Sequence, residues 1–227
     1  MSSPRVGILA PMPEEAAGLV RVLRLRPEGS HHGVPFYRSQ TVSLVCSGLG
    51  QERAQHAMHW LQKVDRPRSI LIAGVAGGLD PELVTGDLLL AEGGEPAWLA
   101  AVAGRLPRAR VGKLLTSGRV IVKARNKAAV FADTGALAVD METWAAAGVA
   151  RVPWLGLRAI SDTAGQDLPL DFNDYFDDKG HSRYAAVALE VARRPALLPG
   201  LLRLAGNSVK AVKRLGEAVR VALEEAP

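Results

Sequence analysis

The rhythm of apolar and polar positions changes repeatedly along this chain, and it predicts strands and helices in turn. Val6-Gly7-Ile8-Leu9 is an unbroken apolar run, the pattern of a short strand buried on both faces. PEE at 13–15 opens an apolar-periodic helix running to about residue 25, with proline where the first helical turn needs no N–H. VPFYRS and TVSLVCS, within 33–47, read as two strands joined by a turn. After Gly48-Leu49-Gly50 a helix is predicted over about 51–64. A buried strand follows over 69–73, and then Gly74-Val75-Ala76-Gly77-Gly78 reads as a glycine-rich turn. LLLA at 88–91 is another strand. A short helix near 97–105 leads to a strand around 111–116, and a helix near 126–132 precedes the apolar run 135–139. Residues 154–160 form a last central strand. The stretch 163–182 is polar and irregular, and the remainder is helical with interruptions at Pro195, Pro199 and Gly200.

Strands alternating with helices argue for an α/β fold with a mixed, mostly parallel sheet. No Pro/Ser-rich linker and no internal repeat divides the 227 residues, so a single domain over 1–227 is expected. Composition narrows the class: 48% of the chain is apolar and 22% charged, a globular profile. No run of eighteen apolar residues is present to span a membrane. MSSPRVGILAPMPEE lacks the long apolar core of a signal peptide, and Cys46, the single cysteine, rules out an intrachain disulfide; a reducing cytoplasm is expected. His56 and His59 sit three apart on a helix with no third ligand spaced nearby, so no metal site and no cofactor is expected. Charge is uneven, with eight Lys/Arg against two Glu between residues 183 and 222. Nucleic acid is the weakest reading of that asymmetry, because the sparse aromatics do not interleave with the basic residues.

Ligands of open α/β sheets bind beyond the carboxyl ends of the strands. Met12 and Glu15 follow the first strand, the Gly74–Gly78 stretch another, Met141 and Glu142 the run at 135–139, and Ser161 and Asp162 the last strand. Each acid also has an ordinary reading: Glu15 and Glu142 as first-turn acids on a helix dipole, Asp162 as a turn cap. Their convergence on one edge points to chemistry. One carboxylate can activate water, one can hold hydroxyls and one can protonate a leaving group, a set suited to cleavage of a glycosidic bond.

These residues resemble the nucleoside phosphorylase/nucleosidase superfamily, in particular its methylthioadenosine/S-adenosylhomocysteine nucleosidases. VGILAPMPEE, CSGLGQERA, ILIAGVAGGLDPELVTGDLLLAE, AVDMET and LRAISDTAG carry the resemblance in the family's order, over residues 6 to 172 with the loop to Phe172. The resemblance implies a three-layer α/β/α fold around a twisted mixed sheet. It implies Glu15 as the residue that activates the attacking water and Asp162 as the acid that protonates N7 of the departing purine, oriented by Ser161. Glu142 matches the acid that binds the ribose 2′ and 3′ hydroxyls, Met141 the residue beneath the sugar, and Phe172 an aromatic closing over the site. Val75, Ala76, Gly77 and Ile121 fall at substrate-binding positions. The first-strand exit, APMPEE, carries none of the arginines of the superfamily's phosphorylases, which favours water over phosphate as nucleophile.

Three departures bear on the substrate. Val75 stands where the small-substrate nucleosidases carry a serine, and Ile121 where an aromatic stacks on adenine. The short connection from Glu92 to Val111 lacks the family loop that encloses the substrate's 5′ end, which leaves that side open. The tail at about 195–223 sets an apolar seam of Val209, Val212, Leu215, Val219 and Leu223 among Arg203, Lys210, Lys213, Arg214 and Arg220. Two readings are open: a helix packed on the domain with a solvated basic face, or contact with an anionic membrane surface. With TGALAVDMET and RRPALLPGLLRLA, the tail is similar to the hopanoid-biosynthesis-associated branch, whose implied substrate is the lipid-linked adenosylhopane. The expected activity is release of adenine from a 5′-modified purine nucleoside by hydrolysis in a homodimer. Methylthioadenosine/S-adenosylhomocysteine nucleosidase proper, futalosine hydrolase, a phosphate-dependent phosphorylase, a non-catalytic nucleoside-binding protein and a membrane-binding module are the alternatives.

Overall fold

The computed structural model describes residues 6–31, 33–175 and 183–227. The first five residues, part of the N-terminal stretch read above, lie outside them. Strands β1 (Val6–Ala10), β4 (Val42–Cys46), β5 (Ser69–Gly78) and β10 (Trp154–Asp162) are the apolar runs expected to be buried on both faces, and they form the centre of the sheet. The path runs β2 (Arg26–His31), β3 (Val34–Arg38), β4, β1, β5, β10, β6 (Leu88–Ala91), β7 (Arg110–Gly112). Both β4 and β5 run parallel to β1, and β10 runs parallel to β5, whereas β6 pairs antiparallel with β10. The sheet is mixed, as the sequence implies.

Successive side chains of each central strand enter opposite layers. Ile8, Leu44, Leu71, Leu155 and Leu157 pack with α1 (Pro13–Leu23), α3 (Pro96–Arg105) and α7 (Leu198–Glu224). Leu9, Val45, Ile70 and Ile72 pack instead with α2 (Gln51–Val64) and α5 (Thr143–Ala147). The result is helix layers on both faces of one sheet.

Four expectations need correction. β2 was not foreseen, because RPEGSH has neither alternation nor a run of β-formers; its antiparallel pairing with β3 makes the strand. The strand expected at 111–116 is two short ones: β7 pairs with β6, and β8 (Leu114–Thr116) pairs with β9 (Ala138–Asp140). The glycine-rich 74–78 segment is no turn but the second half of β5, with Gly77 and Gly78 laddered to Val139 and Ala138 of β9. Neither Pro199 nor Gly200 interrupts the last helix, since Pro199 lies in the first turn of α7, where its missing N–H costs nothing.

α7 also settles most of the apolar seam. Leu215 and Val219 are fully buried against the sheet layer and Leu223 packs beside them. Val212 lies over Gly18, where a Cβ would come within 2.3 Å of its Cγ1, and Trp98 Nε1 donates to the Ala222 carbonyl at 2.8 Å. Of the seam only Val209, 72% exposed, stays outside. Among the described residues no helix is long and apolar enough to cross a membrane.

Candidate active site

Four strand ends deliver side chains to one cavity of about 140 Å³. Glu15, Val75, Ala76, Gly77, Ile121, Met141, Glu142, Ser161 and Asp162 all line it, as does Met12. A second recess of about 470 Å³ shares the wall Arg119, Val120, Ile121 and Leu168. Together the two reach the size of a small-molecule site, roughly 300–1,000 Å³. Phe172 is the one expected residue that does not line the cavity. It is half-buried in a 3₁₀ turn, Phe172–Tyr175, whose Asp171 and Asn173 neighbours line the second recess. The turn is docked by Asn173, whose Oδ1 accepts from Val120 N at 2.8 Å and whose Nδ2 donates to Val120 O at 3.1 Å.

Glu15 sits in the first turn of α1, and its two oxygens are shared between structure and site. Oε2 accepts the Met12 N–H (2.9 Å), an N-terminal cap of the helix, and Oε1 accepts the Val75 N–H (2.8 Å). The first-turn role and the pocket-lining position are therefore both real. Burial raises this carboxyl above its ordinary range, against the opposing field of Arg158.

The neighbouring acids Asp140 and Glu142 divide their work. Asp140 faces inward: it accepts from Thr116 Oγ1 (2.6 Å), from Thr143 through both hydroxyl and N–H, and from Arg158 Nη2 (2.6 Å). It fixes the start of α5. Glu142 takes the Gly50 N–H on Oε1 at 2.9 Å and lies against the cavity. Burial, and next the Asp140 charge, push its carboxyl up to about 8, with Arg158 opposing.

Sequence reasoning passed over Arg158. It is fully buried in β10, donates to Asp140 and Thr143, and has no partner for Nη1. It passes behind β5 at Gly74, where a Cβ would lie 2.0 Å from Nη1 and 3.2 Å from Glu15 Oε1. Only glycine admits the guanidinium beside Glu15. A charge inside the apolar strand WLGLRAIS was the available signal, since arginine is almost never fully buried unless paired.

At the far end, β10 slips register between Ile160, opposite Ala76, and Asp162, opposite Gly77. The extra residue is Ser161, a bulge of the kind that re-aims side chains beside active sites. Its Oγ donates to Asp162 Oδ1 at 2.7 Å. Gly77 leaves the room Asp162 occupies, a Cβ there falling 3.3 Å from Oδ2. Lys127, in the first turn of α4 (Ala124–Thr134), is buried and ion-paired to Asp162 Oδ2. Nothing in the spacing of Lys123, Arg125 and Lys127 separates the buried one from its neighbours.

This arrangement can be set beside known proteins. The family model described as Phosphorylase superfamily matches residues 5–93 and 93–193. A 5′-methylthioadenosine/S-adenosylhomocysteine nucleosidase of Mycobacterium bovis is 27% identical over 229 aligned positions, covering 75% of this chain and 90% of the relative. The nucleosidase of the same description from Tolumonas auensis is 27% identical, covering 76% and 92%. Among solved structures, the corresponding Helicobacter pylori nucleosidase in complex with a pyrrolidine inhibitor superposes with TM-score 0.76 at 17% identity, over 99% of this chain and all of that one. The futalosine hydrolase of Helicobacter pylori gives 0.74 at 17%, over 98% of each chain. The fold is thus that of the nucleosidases, and this chain belongs to the phosphorylase superfamily.

Proposed function

We propose that the protein is an N-glycosidase that cleaves the bond between the base and ribose of a 5′-modified purine nucleoside, releasing adenine. The observation that carries this reading is that three acids, Glu15, Glu142 and Asp162, line one cavity. In this reading Asp162 protonates N7, so that the electrons of the C1′–N9 bond leave with a neutral base. Glu142 accepts from the ribose hydroxyls and steadies the oxocarbenium-like sugar, over Met141. Glu15 takes a proton from the water that attacks C1′, beside the unpartnered Nη1 of Arg158. The nucleosidase names of the relatives at 27% identity support the reaction class.

Water is the proposed nucleophile because Glu15 stands in the cavity as its base. Of the nearby cations, Lys127 is occupied by Asp162 and Arg158 Nη2 by Asp140 and Thr143, which leaves Arg119 on the cavity wall as the cation a phosphate would use. The finer assignment, a bulky 5′ substituent as in adenosylhopane rather than the methylthio group, rests on the short connection between β6 and β7. There α3 packs into the body instead of forming a long covering loop. The tail lends this assignment little, because most of its seam is core; a lipid contact would rest on the exposed Leu198 and Leu202 near the start of α7. Homodimer formation stays part of the proposal on the strength of the resemblance.

The test is adenine release from 5′-methylthioadenosine in phosphate-free buffer, with added phosphate as the second condition. Release without phosphate, as ribosyl product rather than ribosyl phosphate, is the expected result. Strict phosphate dependence would replace hydrolysis with phosphorolysis.

A further inference from the structure

Asp162 poses a problem of proton supply. Its Oδ2 accepts from Lys127, and its Oδ1 is 2.7 Å from the Ser161 hydroxyl, whose other neighbour is the Ala76 carbonyl at 3.2 Å; the acid meets a cation on one side and a hydroxyl on the other. Lys127 Nζ has three acceptors: Asp162 Oδ2, the Thr163 carbonyl at 2.9 Å and the Gln166 carbonyl at 3.1 Å. As an ammonium Lys127 gives one N–H to each acceptor; as a neutral amine it keeps the two carbonyls and turns its lone pair to a protonated Asp162, so the cradle satisfies the pair on either side of a proton transfer. The pair shares one mobile proton, which rests on the more basic nitrogen.

We infer that Lys127 is the proton source for Asp162, an inference that rests on the N-glycosidase reading above. As the C1′–N9 bond lengthens, a proton passes from Nζ to the Asp162 carboxylate and from the carboxylic acid so formed to N7. The bond's electron pair leaves with the base. Lys127 is left as an amine with two N–H bonds, and the attacking water loses its proton to Glu15. Exchange of the Glu15 proton with solvent and reprotonation of Lys127 after the base departs restore the start, with no net proton consumed. Charge separation inside a buried site is thereby replaced by a neutral pair at the moment the base becomes basic. The charged groups around the pair are Asp167 with its partner Lys123 toward solvent, Arg119 at the cavity wall, and Glu15, Asp140 and Glu142 across it.

Two measurements on the full chain test this. The first needs no turnover: the ¹³C carboxyl resonance of Asp162, identified by its absence in Asp162→Asn, is followed with pH in wild type and in Lys127→Met. Wild type should show a carboxylate resonance at pH 7, and Lys127→Met should move that resonance toward the position of a carboxylic acid. A protonated Asp162 in the free wild-type protein at pH 7 overturns the inference. The second compares kcat for adenine release from 5′-methylthioadenosine. Lys127→Met should lose about a hundred-fold or more, the scale of general-acid contributions. Lys127→Arg, which keeps the charge but holds its proton at all working pH values, should lose as much while melting like wild type. Wild-type kcat in the Arg variant would show that charge alone suffices and would sink the relay. The wild type's own adenine release decides the N-glycosidase reading separately, whatever the carboxyl resonance reports.

Discussion

The two ends of the cavity use the same kind of residue under opposite electrostatics. At the end proposed to hold the ribose, Glu15, Asp140 and Glu142 are gathered around a single guanidinium, Arg158, and burial lifts both glutamates. At the end proposed to hold the base, Asp162 is ion-paired to Lys127, with a serine hydroxyl on its other oxygen. The acids are not interchangeable, although each follows a strand and each reads alike in the sequence. Environment separates them: the buried carboxyls crowded around one cation are pushed up, whereas Asp162 has a cation to itself.

Replacing the base-end acid gives the largest expected break in this contrast. Asp162→Asn should lower adenine release by roughly 10² to 10⁴-fold while nucleoside binding, measured by calorimetry, largely persists. Glu15→Gln is expected to cost somewhat less, on the order of a hundred-fold in kcat. The amide oxygen can still accept one of the two backbone N–H groups, so the fold should hold; near-normal turnover would remove Glu15 from the chemistry. Gly74→Ala tests the ribose end from behind. A methyl at 2.0 Å from Arg158 Nη1 must displace a fully buried guanidinium, which should destabilise by roughly 1–3 kcal/mol in chemical denaturation and reduce activity together.

A smaller effect concerns pH. The folded carboxyl of Glu142 lies at about 8 against an ordinary value of 4.5. Between those values the folded chain keeps a proton that the unfolded chain has released, so stability is full below about 4.5 and declines as pH rises toward 8. Glu142→Gln should flatten part of that slope in urea midpoints taken at pH 5 and pH 8. An unchanged slope would mean the carboxyl ionises freely in the fold. The smallest expected change is at the tail: Leu202→Ser, at a 63% exposed position, should leave melting and adenine release unaltered, and any binding to anionic vesicles should weaken.

The sequence made the strand ends legible because buried parallel strands leave apolar runs, and an acid just past such a run stands out. Glu15, Glu142 and Asp162 were found that way. Partners that arrive from elsewhere in the chain leave no such mark. Lys127 comes from the first turn of α4, and its burial depends on contact with the carbonyls of Thr163 and Gln166, which no periodicity reports. Arg158 was visible as a charge within WLGLRAIS, yet its meaning requires Gly74 on the adjacent strand. Phe172 shows the reverse failure: a position inherited from resemblance is carried outside the cavity by the Asn173–Val120 bonds. The seam of α7 was read correctly as a helical stripe, and the structure gives most of it to the core.

β5 touches both ends of the cavity. Its Val75 N–H holds Glu15 and its Gly77 flanks Asp162, two residues further along one extended strand. At about 3.3 Å per residue, such a strand works as a ruler between the two acids. Lengthening it by a single residue would turn every following side chain to the opposite face. The spacing of Glu15 and Asp162 is thus written into a length of backbone, and the loops around the cavity are where its shape is free to vary.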